Sequence, residues 1–349
     1  DATGAVKGLL IEEARTNLQV HSGDFSNSAW SKAASTVDTS YVAPDGTSTA
    51  SKLTSTGGGG ASGVYDNTGF IGTGKTLSCF MKAGSSGVYG WIEGIVGGTS
   101  PNAVFDLESG TVVRSRECDA SIEPVGNGWF RCVVANTTFG MNFFSVGGSD
   151  NADSNSPWGS SNLTQDKFIY AWGAQLEAGA FPSSYIPTTG AAATRARDVA
   201  IIPRSSFGHH NEASTWVVEF TPTFPSVDTN QSVLYRNGSG YDFHIWSTTV
   251  NTMTAQFMDS AASPYSPITA NQTSKIAVVV KNGEYLSVCV DGGSISQNSV
   301  LSNTTVHNPT VVGWANVDYV LGGDQLGHIK SIKYYPRRLT NTQLQELTT

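Results

Sequence analysis

Residues 171–202 read AWGAQLEAGAFPSSYIPTTGAAATRARDVAII, and this stretch combines a strand signal with a boundary signal. Phe, Tyr, Trp and Ala occupy alternate positions from 168 to 174, which predicts a β-strand that places these four side chains on one face. A glycine and two prolines between 179 and 187 end the pattern, and residues 188–193 are small and uncharged. A new strand-like run opens at 199. We interpret the stretch as the joint between two folded units.

Short strand signals separated by turn residues occur on both sides of this joint. Residues 76–82 alternate in polarity, and residues 121–125 and 129–133 predict a hairpin across the sequence Gly-Asn-Gly. Such spacing is typical of β-sandwiches. The predicted fold class is therefore all-β, with two tandem jelly-roll sandwiches. Thr340 and Gln343 form a capping-box pattern, which predicts a short helix at the end of the chain.

The domain organisation follows from the length and from the joint. A chain of 349 residues fits two domains. We expect an N-terminal strand and connector over residues 1–20, a first sandwich over 21–190 and a second over 191–349.

The composition excludes several classes of function. Only 14% of the residues are charged, against about 25% in typical domains. The net charge of −8 lies mostly in residues 1–190, which hold 10 Lys and Arg against 17 Asp and Glu. Nucleic-acid binding needs clustered basic residues, so it is not expected. No apolar run approaches the ~18 residues of a membrane helix, so membrane insertion is not expected either.

The four cysteines show neither zinc-site nor CxxC spacing. In the predicted hairpin Ile122 faces Cys132, which leaves Cys118 about four positions away from Cys132 and argues against a bond between them. We interpret all four as reduced, buried thiols, consistent with assembly in a host cytoplasm.

Several motifs of the first module resemble the head-spike and tail-fibre domain of tailed bacteriophages. In chain order, they are GLLIEEARTNL (8–18), Phe25 with Trp30, FDL with GT (105–111), VGNGWFRC (125–132) and WGAQLE with SYIPT (172–188). That domain looks like the carbohydrate-binding-module jelly roll attached to polysaccharide-degrading enzymes. The first motif usually lies well inside a longer chain, so we expect this chain to be truncated at its N-terminus.

The second module carries a shorter resemblance. The run IKSIKYYPRRLT (329–340) looks like the closing strand and helix of a laminin-G or concanavalin-A-like lectin sandwich. Together the two resemblances imply a virion location, a surface role and other virion proteins as partners. They imply no catalytic residue. A homo-oligomer is expected, and a trimer is the usual fibre geometry, although no heptad or triple-helix repeat demands it.

Aromatic residues near short polar side chains are the candidates for sugar binding, because rings stack on the apolar side of a pyranose. A ring in such a position can equally be a loop anchor or part of the core, and we expect Trp129 and Trp172 to be core. The candidate ligand-binding residues are Trp30, Tyr41, Trp91, Trp158, Tyr241 and Trp246.

Catalytic and metal-binding patterns are weak. Nothing resembles a nucleophile elbow or a cysteine-protease signature, so we predict that the chain is not an enzyme. No cofactor is predicted apart from calcium, for which Asp150 and Asp153 are weak candidate ligands because their loop is rich in oxygen-bearing side chains.

The leading hypothesis is a non-enzymatic phage virion surface protein, as fibre, spike or capsid decoration, that binds glycans on the host cell. Two alternatives stay open: a purely structural virion protein, and the accessory binding region of a polysaccharide-degrading enzyme.

Overall fold

The computed structural model describes most of the chain. The described residues are 6–58, 60–66, 74–94, 101–136, 143–152, 163–198, 200–203, 206–207, 213–222, 231–238, 240–249, 252–257, 265–267, 269, 271–281, 285–299, 319–321 and 327–349. No helix among them is long and apolar enough to cross a membrane.

Strands account for nearly all the regular structure. Those of the first half are β1 (Leu9–Ile11), β2 (Arg15–Asn17), β3 (Ser31–Ala33), β4 (Ser35–Tyr41), β5 (Ala50–Ser55), β6 (Ser62–Asp66), β7 (Lys75–Ala83), β8 (Tyr89–Glu93), β9 (Asn102–Asp106), β10 (Thr111–Arg116), β11 (Asp119–Gly126), β12 (Trp129–Asn136), β13 (Phe144–Ser149) and β14 (Phe168–Ala178). Those of the second half are β15 (Ala193–Arg195), β16 (Ala200–Ile202), β17 (Ala213–Pro222), β18 (Gln231–Gly238), β19 (Gly240–Thr249), β20 (Thr252–Phe257), β21 (Tyr265–Pro267), β22 (Ser274–Lys281), β23 (Tyr285–Val290), β24 (Ser296–Ser299), β25 (Tyr319–Leu321) and β26 (Gly327–Tyr335), followed by helix α1 (Asn341–Thr348).

The chain forms two compact units that are not strictly successive in sequence. Arg15–Arg195 belongs to the first unit, whereas Val6–Ala14 and Ala196–Thr349 belong to the second. Strand β1 is the edge strand of a sheet of the second unit, where Leu10 pairs with His328. The segment that the sequence suggested as an N-terminal connector is thus divided between the two units.

The first unit consists of two six-stranded antiparallel sheets and a short ribbon. Sheet 1 has the order β11-β12-β7-β14-β5-β4, sheet 2 the order β10-β9-β8-β13-β6-β3, and β2 pairs with β15. Side chains from both sheets, including Leu77 and Ile169 from sheet 1 and Ile92 and Phe144 from sheet 2, form one buried core. Burial of this apolar surface is the main stabilising contribution to the unit.

The second unit also contains two six-stranded antiparallel sheets. Sheet 3 has the order β1-β26-β17-β22-β23-β24, and sheet 4 the order β16-β25-β18-β19-β20-β21. One face of sheet 3 carries a core around Trp216 and Val278. Its opposite face is covered over part of its area by α1, whose Leu344 packs against Val217 and Ala277.

The fold-class prediction is confirmed: the described chain is all-β in sandwich-like units, with one short C-terminal helix. The capping box is present, since the Thr340 side chain accepts a hydrogen bond from the Gln343 amide and the Gln343 side chain accepts one from the Thr340 amide. The predicted hairpin is also present as β11 and β12, with Ile122 opposite Cys132.

The prediction of which β14 side chains share a face is wrong. The sequence placed alternate residues of β14 through Ala174 on one face, but the register with β7 shifts between Trp172 and Gln175. Gly173 adopts a positive φ of 64° in this bulge. Trp172 consequently lies on the outer face of sheet 1, whereas Ala174 lies in the core between the sheets.

The cysteines differ in burial. Cys79, Cys132 and Cys289 are buried, while Cys118 is half-buried, contrary to the expectation that all four are buried. Burial raises the pKa of the Cys79 thiol to about 12 and that of the Cys118 thiol to about 11. Burial also raises the pKa of Cys132, which pairs with Cys79 across β7 and β12, well above its ordinary value.

We therefore expect thiol labelling to be slow in the native protein. A thiol reagent attacks the thiolate, and the raised pKa leaves almost no thiolate at Cys79, Cys118 and Cys132 at pH 8. Burial blocks access to Cys289. Ellman's reagent should modify at most Cys118 rapidly in the native state and all four thiols after denaturation. A Cys118→Ser variant should show no fast phase. Rapid native labelling of two or more thiols would contradict this packing.

Candidate functional site

The outer face of sheet 1, opposite the core, carries a cluster of half-buried rings and lysines. We call it the aromatic–lysine face, and it consists of Tyr41, Lys52, Lys82, Phe168 and Tyr170. These side chains come from four strands, β4, β5, β7 and β14, which lie close together in the sheet. Because the strands are hydrogen-bonded to one another, the side chains are held on a rigid support.

The strand register explains why lysines flank the central ring. Tyr170 of β14 pairs with Lys52 of β5 on one side and with Lys82 of β7 on the other. Directly opposite residues in antiparallel strands point to the same face. The Lys82 ammonium is held by a 2.8 Å hydrogen bond to the Asn127 carbonyl in the β11–β12 turn.

The rings contact one another at defined angles. The Tyr41 and Tyr170 rings have centroids 5.1 Å apart, and those of Phe168 and Tyr170 are 5.4 Å apart at 81°. The Lys52 ammonium lies 4.4 Å above the centre of the Phe168 ring, within the range of a cation–π interaction. These contacts fix the orientation of the half-exposed rings before any ligand binds.

Three further aromatic residues lie beside this face and are buried. Phe80, Trp129 and Trp172 form one cluster on the same side of sheet 1, and Trp172 packs 4.5 Å from Tyr185. The prediction that Trp129 and Trp172 are core residues is confirmed, although their cluster is on the outer side of the sheet. Residues 179–188, which follow β14, cover this part of the face, and we call them the covering segment.

Tyr185 secures the covering segment. Its hydroxyl lies 2.7 Å from the Ser22 hydroxyl, and burial raises the pKa of Tyr185 to about 12. Thr188 and Ser22 exchange two further hydrogen bonds, in which each backbone amide donates to the other's hydroxyl. The phenol is therefore neutral at physiological pH and acts as an anchor.

The bulge in β14 is stabilised by the buried side chain of Asn17. Its amide nitrogen donates to the carbonyls of Ala174 and Ile186, and its oxygen accepts from the amides of Gln19 and Leu176. A bulge interrupts the regular ladder and leaves backbone groups without a strand partner. Asn17 supplies partners for two of them and also holds the covering segment.

The chemistry of these side chains allows them to bind a ligand. Half-exposed rings can stack against the apolar side of a sugar ring, and lysine ammonium groups can donate hydrogen bonds to hydroxyls.

Two of the sequence candidates for sugar binding prove to be wrong. Trp30 is 1% exposed, packs on Phe25 in the core, and donates its indole hydrogen bond to the His21 carbonyl. Trp91 is fully buried and donates to the Gly148 carbonyl. A ring without exposed surface cannot stack on a ligand, so both are structural.

The remaining candidates divide into two groups. Tyr41 is half-buried on the aromatic–lysine face, and its role in ligand binding stays a prediction. Trp158 lies outside the described residues. For Tyr241 and Trp246 the structure describes only the backbone, which belongs to β19. The predictions for these three residues stay predictions.

The candidate calcium ligand Asp150 is hydrogen-bonded to other residues of the chain. Its carboxylate accepts hydrogen bonds from the Lys167 ammonium at 2.7 Å and from the amide and hydroxyl of Thr164. Partial burial alone would raise the pKa of Asp150, but these hydrogen bonds and the Lys167 charge outweigh it and lower the pKa.

The other candidate, Asp153, lies outside the described residues. Among the residues that the structure describes, no group of three or more His, Cys, Asp or Glu side chains could hold a metal ion. Calcium binding remains an untested expectation.

Sequence reasoning missed Lys52, Lys82, Phe168 and Tyr170 as site residues. Phe168 and Tyr170 were visible as alternate positions of a closing strand, where an aromatic residue suggests core. The available signal was the presence of Lys52 and Lys82 in two other strands whose remaining residues are mostly apolar or small. Only the pairing of β14 with β5 and β7 brings these lysines next to Tyr170.

No family model matches the chain, and no curated protein matches it. Among solved structures, a Trypanosoma rangeli sialidase aligns at 18% identity over 39% of this chain and 22% of its own, with a TM-score of 0.32. A botulinum neurotoxin type C structure, whose description concerns cell entry through two ganglioside molecules, aligns at 11% identity over 43% of this chain and 39% of its own, with a TM-score of 0.34.

The chain therefore spans well under half the length of these neighbours. At such TM-scores and identities the likeness says nothing about ligand or activity.

The bulge that shapes the face can be tested by Gly173→Ala. The added methyl would lie 3.0 Å from the Phe80 ring at a backbone conformation with positive φ. We expect the variant to lower the free energy of unfolding of the first unit by about 2 kcal/mol or more, since backbone strain and overpacking add. Near-UV circular dichroism should also change, because Phe80 contacts Trp172.

Gly46→Ala is the matched control. Gly46 also has a positive φ, 83°, but nothing lies within 4 Å of the added methyl. Gly46→Ala should lower the free energy of unfolding only by the backbone strain, about 1 kcal/mol. It should leave the near-UV circular dichroism unchanged. Equal destabilisation by the two variants would show that the bulge is not tightly packed.

Proposed function

We propose that this chain is a non-enzymatic surface protein of a tailed-bacteriophage virion, as a fibre, spike or capsid-decoration subunit, that binds glycans on the host cell. The observation that carries the glycan-binding part is the aromatic–lysine face, where Tyr41, Phe168 and Tyr170 offer half-exposed rings beside Lys52 and Lys82. Rings flanked by hydrogen-bond donors on a rigid sheet are the elements from which sugar sites are built.

The phage part of the proposal rests on the sequence. It is supported by five motifs that occur in the same order as in head-spike and tail-fibre domains, and by a surface chemistry rich in Gly, Ser, Thr and Asn but poor in charge. A protein of this kind is made in the host cytoplasm and displayed on the virion beside other virion proteins.

A face of this size binds a sugar weakly. Weak single sites become effective when many copies act together, because each further contact is intramolecular. A homo-oligomer, with a trimer as the usual fibre geometry, or an array of copies on the particle would provide this gain.

The experiment is a glycan array and a host-cell pull-down with the purified chain. Binding should be detectable to at least one host polysaccharide, and Tyr41→Ala and Tyr170→Ala should each weaken it by about tenfold, equivalent to ~1.4 kcal/mol for a lost stacking ring. The array should be read with the chain multimerised on beads, so that weak binding is seen.

Tyr89→Ala is the matched control, because Tyr89 is also half-buried but lies in β8 of sheet 2. It should leave glycan binding unchanged. Circular dichroism and thermal unfolding would verify that all three variants fold. Absence of any glycan signal, or equal loss with Tyr89→Ala, would contradict the proposed site and favour a purely structural virion role.

The non-enzymatic part is tested by incubating host polysaccharide with the chain alone. No decrease in polysaccharide size is expected. Depolymerisation would overturn this part of the proposal.

A further inference from the structure

A second candidate site lies in the second unit, on sheet 3. It is a cleft of about 290 Å³, close to the lower end of the volumes usual for ligand pockets. Its described lining residues come from the segment before β1, from β17 and β26, and from the segment that leads into β22. They are Val6, Lys7, Thr221, Asn271, Thr273, His328 and Lys330.

The strand register places three of these groups side by side. His328 of β26 pairs with Thr221 of β17, and the Thr221 hydroxyl lies 2.7 Å from the hydroxyl of Thr273. Asn271 is held nearby in a left-handed conformation, φ 60°, by a hydrogen bond from its amide to the Pro222 carbonyl. An imidazole, two hydroxyls and a carboxamide therefore line one wall of the cleft.

A β-bulge in sheet 3 positions Lys330. The pairing of β17 with β26 shifts between Glu219 and Phe220, which leaves Lys330 as the extra residue of β26. Bulges commonly redirect a side chain next to a binding site. The Lys330 ammonium forms a 2.8 Å ion pair with Glu219, and this contact uses one of its three donor hydrogens.

The position of Lys7 in the lining depends on a glycine. Gly8 has a φ of 116°, and a Cβ at this position would lie 2.5 Å from the Ile329 carbonyl oxygen. The backbone can approach β26 so closely only because the side chain is absent. This approach places the neighbouring Lys7 at the cleft.

The described lining of the cleft carries positive charge, whereas the chain as a whole has a net charge of −8. Two lysines and a histidine face the cleft, and none of its described lining residues is an Asp or a Glu. Glu219 offsets part of the Lys330 charge, but it does not line the cleft. The set provides cationic groups for a carboxylate, together with hydroxyl and amide groups for the hydroxyls of a sugar.

We infer that this cleft binds a single carboxylate-bearing sugar residue, such as the end or a side branch of an acidic polysaccharide. Its volume suits one ring, and its mixed donors suit an anion that also carries hydroxyls. The inference concerns another unit and other residues than the aromatic–lysine face, so it does not depend on that face.

The test is titration of the full chain with sodium glucuronate, followed by NMR chemical shifts. Glucose serves as the neutral counterpart, and sodium phosphate and sodium sulfate serve as simple anions. Glucuronate should bind at least tenfold more tightly than glucose and more tightly than either inorganic anion. Equal or tighter binding of phosphate would show a general anion site and overturn the assignment to a sugar acid.

Two lysines of the same strand provide the matched pair. Lys330→Gln should weaken glucuronate binding about tenfold, whereas Lys333→Gln removes an exposed charge that does not line the cleft and should have no effect. Lys7→Gln should act like Lys330→Gln without touching the pair with Glu219. Equal affinities of all variants would overturn the proposal.

Either proposal can fail alone. The glycan-array test depends on Tyr41 and Tyr170, and the glucuronate test depends on the difference between Lys330 and Lys333.

Raising the salt concentration should weaken the binding of glucuronate to the unaltered chain, because exposed charges are screened.

Discussion

The packing of the first unit depends on the buried amide of Asn17. This one side chain is fully buried and makes hydrogen bonds to four backbone groups, in β14, in the covering segment and in its own turn. Loss of such a group would leave buried backbone donors and acceptors without partners, which costs about 1–3 kcal/mol for each. The same side chain thus stabilises both the bulged part of β14 and the covering segment.

Both candidate sites are outer faces of sheets shaped by a bulge. In sheet 1 the bulge of β14 turns Phe168, Tyr170 and Trp172 outward while later apolar residues return to the core. In sheet 3 the bulge of β26 sets Lys330 beside the cleft. In each case part of the face is covered, by the segment after β14 or by α1, and the candidate site lies on the rest of that face. A sandwich thus keeps its core closed and still presents selected side chains.

The sequence predicted local structure well and side-chain exposure less well. The hairpin register at Ile122 and Cys132, the capping box at Thr340 and the burial of Trp129 were predictable, because each depends on neighbouring residues or on a strong preference. Trp30 and Trp91 were placed wrongly, because an aromatic residue among polar neighbours looks the same in sequence whether it is covered or not. Their burial depends on contacts with distant residues such as Phe144 and Gly148.

By itself the sequence determined an all-β chain with many short strands, low charge and a C-terminal helix, and it placed a joint between two units within residues 171–202. These properties follow from periodicity, turn residues and composition, which act over a few positions. Only the tertiary structure decided that β1 belongs to the second unit, that Ala174 turns inward, and that Lys52 and Lys82 flank Tyr170. Each of these depends on pairing between strands far apart in sequence, and a one-residue change of register reverses which face a side chain occupies.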